Sequence, residues 1–151
     1  MIVMAMIIFI ALPIYLASPE HLMPQMKKRI PEAYEFFERH HDILVELASF
    51  AEKVSPEYTD TYDMKNINWD YFSFAQKQAI AEVKTELEKN SGWIAIKHKY
   101  VGINVFHDLR VGMYIVYCKD WIPSADNNSR LYFYERIEED WYLEIFYSYL
   151  P

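Results

Sequence analysis

The chain has 151 residues, a net charge of −7 and a single cysteine, Cys118. That length fits one domain able to bury roughly two-thirds of its unfolded surface. The acidic balance argues against a nucleic-acid backbone as partner, and one cysteine excludes an internal disulfide. Aromatic residues make up 17% of the chain and glycine only 3 positions, a composition that favours strands over flexible loops.

Met1–Ala17 (MIVMAMIIFIALPIYLA) carries no charged residue. As a helix it spans about 25 Å, a little short of the ~30 Å hydrocarbon core of a bilayer. A cleaved signal peptide calls for a basic start and a small-x-small cleavage site. No Lys or Arg precedes Lys27, and Tyr15 occupies the −3 position for cleavage after Ala17. A buried helix that is apolar all round needs cover on every side. The expectation is an uncleaved membrane anchor, or signal-like helix, over 1–17, followed by a single α+β domain over 18–151. The positive-inside rule would hold Lys27, Lys28 and Arg29 in the cytoplasm. Single-span anchors more often export a long C-terminal part, so an extracytoplasmic domain is favoured, with a cytoplasmic one as the alternative.

Ser18-Pro19-Glu20 places a cap, a first-turn proline and an acid in the order a helix start requires. Pro31 should end this helix or begin the next. From Ile30 the apolar positions Ala33, Phe37, His40, Leu44, Leu47, Ala51 and Val54 recur at steps of three and four, one face of a long helix. His40 on that stripe reads as a satisfied core histidine. Ser55-Pro56-Glu57 suggests a further short helical turn before the polar stretch from Thr59 to Asn68. Ser73 and Gln76 form a capping-box pair that opens another amphipathic helix, ended by Asn90-Ser91-Gly92.

After Gly92 the period changes to two. Trp93–Tyr100 reads as a strand, Val101-Gly102 as a turn, Ile103–His107 as a second strand and Met113–Cys118 as a central third. Ile122–Arg130 is the most loop-like segment. The last stretch, LYFYERIEEDWYLEIFYSY from Leu131, reads as a hairpin about Glu138-Glu139-Asp140. A three-residue turn pairs Ile137 with Trp141, Glu135 with Leu143, Phe133 with Ile145 and Leu131 with Tyr147, giving one oily face, with Asp140 in the left-handed position. The architecture expected is α+β: an N-terminal apolar anchor helix, two to three amphipathic helices, then an antiparallel meander of about five strands.

No phosphate loop, nucleophile elbow, HExxH or CxxC is present, so no cofactor and no catalytic set is assigned. The second face of the hairpin carries Tyr132, Tyr134, Arg136, Tyr142 and Glu144. It reads either as a half-exposed sheet surface or as a ligand-binding platform for a sugar, peptide or base. His98 and His107, placed on one face by the Val101-Gly102 turn, are the candidate metal pair, with Cys118 or Glu135 as possible third ligand. Asp60, Asp63 and Asp70 do not match a calcium loop and read as a solvated stretch.

Three functional readings follow. The first is a membrane-anchored, non-enzymatic binding domain for a protein or envelope ligand. The second is a small intracellular immunity- or antitoxin-type protein whose acidic surface neutralises a basic partner. The third is a metal-dependent hydrolase using His98 and His107.

Overall fold

The computed structural model describes residues 19–61, 64–108, 111–119 and 131–147, with the side chains of 19–21, 131, 132 and 147 outside the description. The apolar run Met1–Ala17 lies outside the described residues. Among the described residues no helix is long and apolar enough to cross a membrane.

The chain is α+β, as its change of period at Gly92 implies. Helix α1 (Pro19–Lys27) closes with Lys28 N–H donating to Pro24 O and Arg29 N–H to Met26 O. The chain bends there and enters helix α2 (Ile30–Lys53), with Pro31 in its first turn, where a missing N–H costs nothing. The stripe read from the sequence is the buried face: Ala33, Phe37, Leu44, Leu47 and Ala51 are covered, and Phe36, Ile43 and Phe50 widen it. Helix α3 (Phe74–Glu88) begins with the complete Ser73–Gln76 capping box and buries Ile80, Val83 and Leu87. Between α2 and α3 the chain forms a three-residue edge strand, β1 (Thr59–Thr61), and a short 3₁₀ turn, Trp69–Tyr71, instead of a helical turn at Ser55. Asp60, 4% exposed, accepts from Asn66 N–H and folds the polar stretch back on itself.

The remaining strands are β2 (Trp93–Lys97), β3 (Tyr100–Asp108), β4 (Val111–Cys118), β5 (Leu131–Glu138) and β6 (Trp141–Tyr147), in one six-stranded antiparallel sheet of order β1-β2-β3-β4-β6-β5. Two features of the expected meander are corrected. First, the β2–β3 turn is His98-Lys99, with Lys97 opposite Tyr100, not Val101-Gly102. This register sets Ile96 against Val101 and Ile94 against Ile103, all covered, whereas a turn at Val101 would have exposed a valine that is 0% exposed. Lys99 takes the positive φ of 57° that the tight turn demands. Second, β6 inserts between β4 and β5, so β4 and β5 are not neighbours. Apolar Leu143 and Ile145 then lie beside Ile115 and Met113 at the sheet's centre, and the more charged β5 takes the edge.

The terminal hairpin keeps its expected register at Phe133–Ile145, Tyr134–Glu144, Glu135–Leu143 and Arg136–Tyr142. Asp140 has φ 61°, the left-handed position. At the turn Glu138, not Ile137, lies opposite Trp141, and Leu131 lies opposite Phe146, not Tyr147, because an irregularity interrupts the ladder at each end. All described helices pack on one sheet face, against Ile94, Ile96, Val101, Ile103, Met113, Ile115, Trp141, Leu143 and Ile145. Phe37 of α2 meets Trp141 at 5.3 Å between ring centroids, which ties the hairpin to the long helix.

Candidate functional site

Because residues directly opposite share a face, the registers define what lies on the side away from the helices. One row runs across five strands: Trp93, Asn104, Tyr114, Glu144 and Tyr134. The next row is Ala95, Gly102, Val116, Tyr142 and Arg136. Among the described residues no helix packs on this outer face.

Its rings meet in two groups. Trp93 and Tyr114 meet edge to face at 5.7 Å, Tyr114 and Phe146 at 5.5 Å, and Tyr134 stacks on Tyr142 at 5.1 Å and 22°. Two glycines let rings lie flat on the sheet. A Cβ on Gly102 would come within 2.5 Å of the Tyr100 hydroxyl, and one on Gly112 within 2.6 Å of the Tyr114 ring. On this face Ala95, Val116 and Cys118 are buried although they stand outside the main core cluster.

Two polar side chains are buried there too. Asn104 is 0% and Glu144 2% exposed, and Asn104 Nδ2, Asn104 Oδ1 and Glu144 Oε1 have no hydrogen-bond partner among the described residues. A buried polar group without a partner costs about 1–3 kcal/mol, and more if charged. Burial alone pushes the Glu144 carboxyl up to about 7. The Tyr100 phenol is raised by burial first and then by the Glu144 charge. The Tyr134 phenol is pushed up to about 12 by burial, then by Tyr142 and Glu144, against a lowering by Arg136. A carboxyl kept poised near neutrality, ringed by aromatic side chains and without a counter-ion among the described residues, can receive a cation or donate a proton to an acceptor.

Of the residues expected to bind a ligand, Tyr134, Arg136, Tyr142 and Glu144 are brought together, with Glu144 opposite Tyr134 and Tyr142 opposite Arg136. The side chain of Tyr132 lies outside the described ones. Glu144 is buried, where a half-exposed position was expected. Asn104, Tyr114, Trp93 and Tyr100 complete the patch and were not singled out in the sequence. Asn104 shares a face with Trp93 and Lys97 whether the turn is at Val101-Gly102 or at His98-Lys99; what the sequence does not signal is that this position is buried.

The expected metal pair does not meet. His98 is in the turn before β3, where its Nδ1–H donates to Val54 O at 2.7 Å. His107 is near the far end of β3, opposite Gly112, and at ~3.3 Å per strand residue the two stand more than about 20 Å apart. Among the described residues no group of three His, Cys, Asp or Glu could hold a metal ion. His40 is satisfied, as its stripe position implied, by Glu86 at 2.9 Å and by the Phe36 ring. Asp60 serves its own loop, and Asp63 lies outside the described residues.

No protein-family model, no curated protein and no solved structure matches this chain.

Proposed function

We propose that this protein is a non-enzymatic binding domain that docks a protein partner on the aromatic outer face of its sheet and is tethered to a membrane by Met1–Ala17. The observation that carries the docking reading is the buried Asn104 and Glu144, unpartnered among the described residues, beside the rings of that face. A fold that only had to cover its sheet would gain stability from apolar residues at these two positions. Retaining them at a cost fits a surface that is completed by something else. Tyr, Trp and Arg, the side chains most enriched at binding hot spots, are gathered around them. The tether rests on the uncharged run alone.

A photo-reactive phenylalanine analogue placed at Tyr134 or Tyr142 in the native cell tests the docking face, with exposed Phe74 on α3 as the control position. A discrete adduct from 134 and 142 and none from 74 supports it, and equal labelling from all three rejects it. The tether is tested by fractionation: the full chain should stay with membranes through an alkaline wash, and a chain lacking Met1–Ala17 should be soluble and folded.

The acidic balance of −7 favours one variant of this reading, a neutralising protein of the immunity or antitoxin type that meets a basic partner in the cytoplasm. A full chain recovered in the cytosolic fraction would select it. The separation of His98 and His107 removes the pair on which the hydrolase reading was built.

A further inference from the structure

We infer that the outer-face row centred on Glu144 is a socket for one basic side chain, lysine or arginine, of a protein partner, with the Glu144 carboxylate as counter-ion and the rings of Tyr114 and Tyr134 as walls. The inference rests on the docking face proposed above and names the chemistry that face would recognise.

Glu144 has a tyrosine directly opposite on each side, Tyr114 on β4 and Tyr134 on β5. Ring faces carry a negative quadrupole, so a carboxylate between two phenols is a place where a cation gains from all three groups. Among the described residues no cation offsets the burial of this carboxylate. Lys97 lies over the Tyr100 ring at 5.8 Å, and Arg136 Nε–H donates to Glu138 O at 3.2 Å. Neither offsets the burial that raises Glu144. An unpaired buried charge is among the costliest features a fold can keep, and an incoming cation removes that cost. The net charge of −7 steers a basic partner toward the chain. Entry is through Tyr134, which is 38% exposed and so the ring of this face with most room to turn aside. Asn104, on the other side of Tyr114, offers a buried donor and acceptor to the partner's backbone.

A cation stabilises the ionised carboxylate, so binding must release the Glu144 proton, and affinity must rise with pH through neutrality. A neutral hydroxylated ligand that accepts a bond from protonated Glu144 would bind more weakly as pH rises. The groups facing Glu144 that bear on this dependence are Tyr100 and His107 from β3, Tyr114 and Cys118 from β4, Tyr134 and Arg136 from β5, Tyr142 on its own strand and Lys97 from β2. A His107→Gln variant separates the histidine's share.

The test is calorimetric titration of the full chain with end-blocked tri-lysine and tri-arginine peptides at pH 6 and pH 8, with a tri-glutamine peptide as control. The cationic peptides should bind about tenfold tighter at pH 8 than at pH 6, as the ionised fraction of a group titrating near neutrality requires. Glu144→Gln should lose about that factor at pH 8 and flatten the pH dependence, while Glu38→Gln, which removes one charge from the exposed surface of α2, should leave both unchanged. A thermal melt confirms that Glu144→Gln is folded. Absent binding at millimolar peptide, equal losses in the two variants, or affinity that falls as pH rises each overturn the socket. If adducts form at 134 and 142 in the cell while Glu144→Gln leaves partner and peptide binding intact, the docking face stands and the socket alone is wrong. If no adducts form, the docking face itself is rejected.

Discussion

Glu144 on β6 lies directly opposite Tyr134 on β5, one residue 2% exposed with an Oε1 unpartnered among the described residues and the other 38% exposed. A hairpin pair would ordinarily leave both half-wet on a face without helices. Here the neighbouring strands bring Tyr114 against the far side of Glu144, and the glycines at 102 and 112 let Tyr100 and Tyr114 lie flat. The result is a sheet with a covered core face and an outer face on which two polar groups, Asn104 and Glu144, are buried among aromatic neighbours.

This makes stability depend on pH with a definite sign. The Glu144 carboxyl titrates at about 7 in the folded chain against 4.5 ordinarily. Between those values the unfolded chain gives up a proton that the folded chain keeps, so this group lowers stability as pH rises from 4.5 to about 7 and then levels off. The penalty above neutrality is of the order of 3 kcal/mol. Glu144→Gln should therefore stabilise the chain by about 2–3 kcal/mol at pH 8 and by almost nothing at pH 4. Urea unfolding at the two pH values measures it, and an equal effect at both would show that burial does not control this group.

His41 on α2 should titrate above the ordinary histidine value. Its hydrogen bond to Glu138 on the hairpin turn is the largest cause, opposed by burial and assisted by Asp42. The stabilisation from this pairing is fully present below 6.5 and is lost as pH rises through the raised value. Both side chains are about 40% exposed, so solvent holds it below about 0.5 kcal/mol. Glu138→Gln should lower the histidine titration midpoint read by NMR, with little change in melting temperature.

Gly92→Ala should destabilise strongly. An added Cβ would lie 2.3 Å from the Asn104 carbonyl oxygen, a backbone atom of the β2–β3 ladder that cannot yield without opening the pair. The expected cost is about 2 kcal/mol or more, at the upper end for one methyl group. Chemical denaturation reads it, and a cost under about 0.5 kcal/mol would place it with ordinary surface changes.

Asp140→Gly should do the opposite. Asp140 has φ 61° at the tip of the β5–β6 hairpin, a conformation that costs a residue with a Cβ roughly 1 kcal/mol and glycine almost nothing. A gain of about 0.5–1 kcal/mol is expected, with Cys118 N–H still donating to the carbonyl of residue 140. A loss of stability would show that the aspartate side chain holds the turn.

Much of this architecture is legible in the chain itself. The stripe from Ile30 to Val54, the Ser73–Gln76 cap and the central hairpin pairs from Phe133–Ile145 to Arg136–Tyr142 follow from local periodicity and local hydrogen bonding, which need no partner to be stated. Tyr134, Arg136, Tyr142 and Glu144 were grouped correctly for the same reason: alternation along two adjoining strands fixes a shared face. The misplaced β2–β3 turn shows where local reading stops. Val101-Gly102 has the look of a turn, yet Gly102 is in the strand to make room for the Tyr100 ring, and Lys99 bends the chain instead.

What tertiary structure alone decided is the environment of the outer face. Nothing within β6 says that it, and not β5, will pair with β4, or that Asn104, forty residues away in the chain, will share its row. The protonation of Glu144 is set by that arrangement, because a carboxyl responds to how much water its neighbours from other strands exclude. Spacing in the sequence determines which residues can face the same way. Only the assembled sheet determines which of them lose their water.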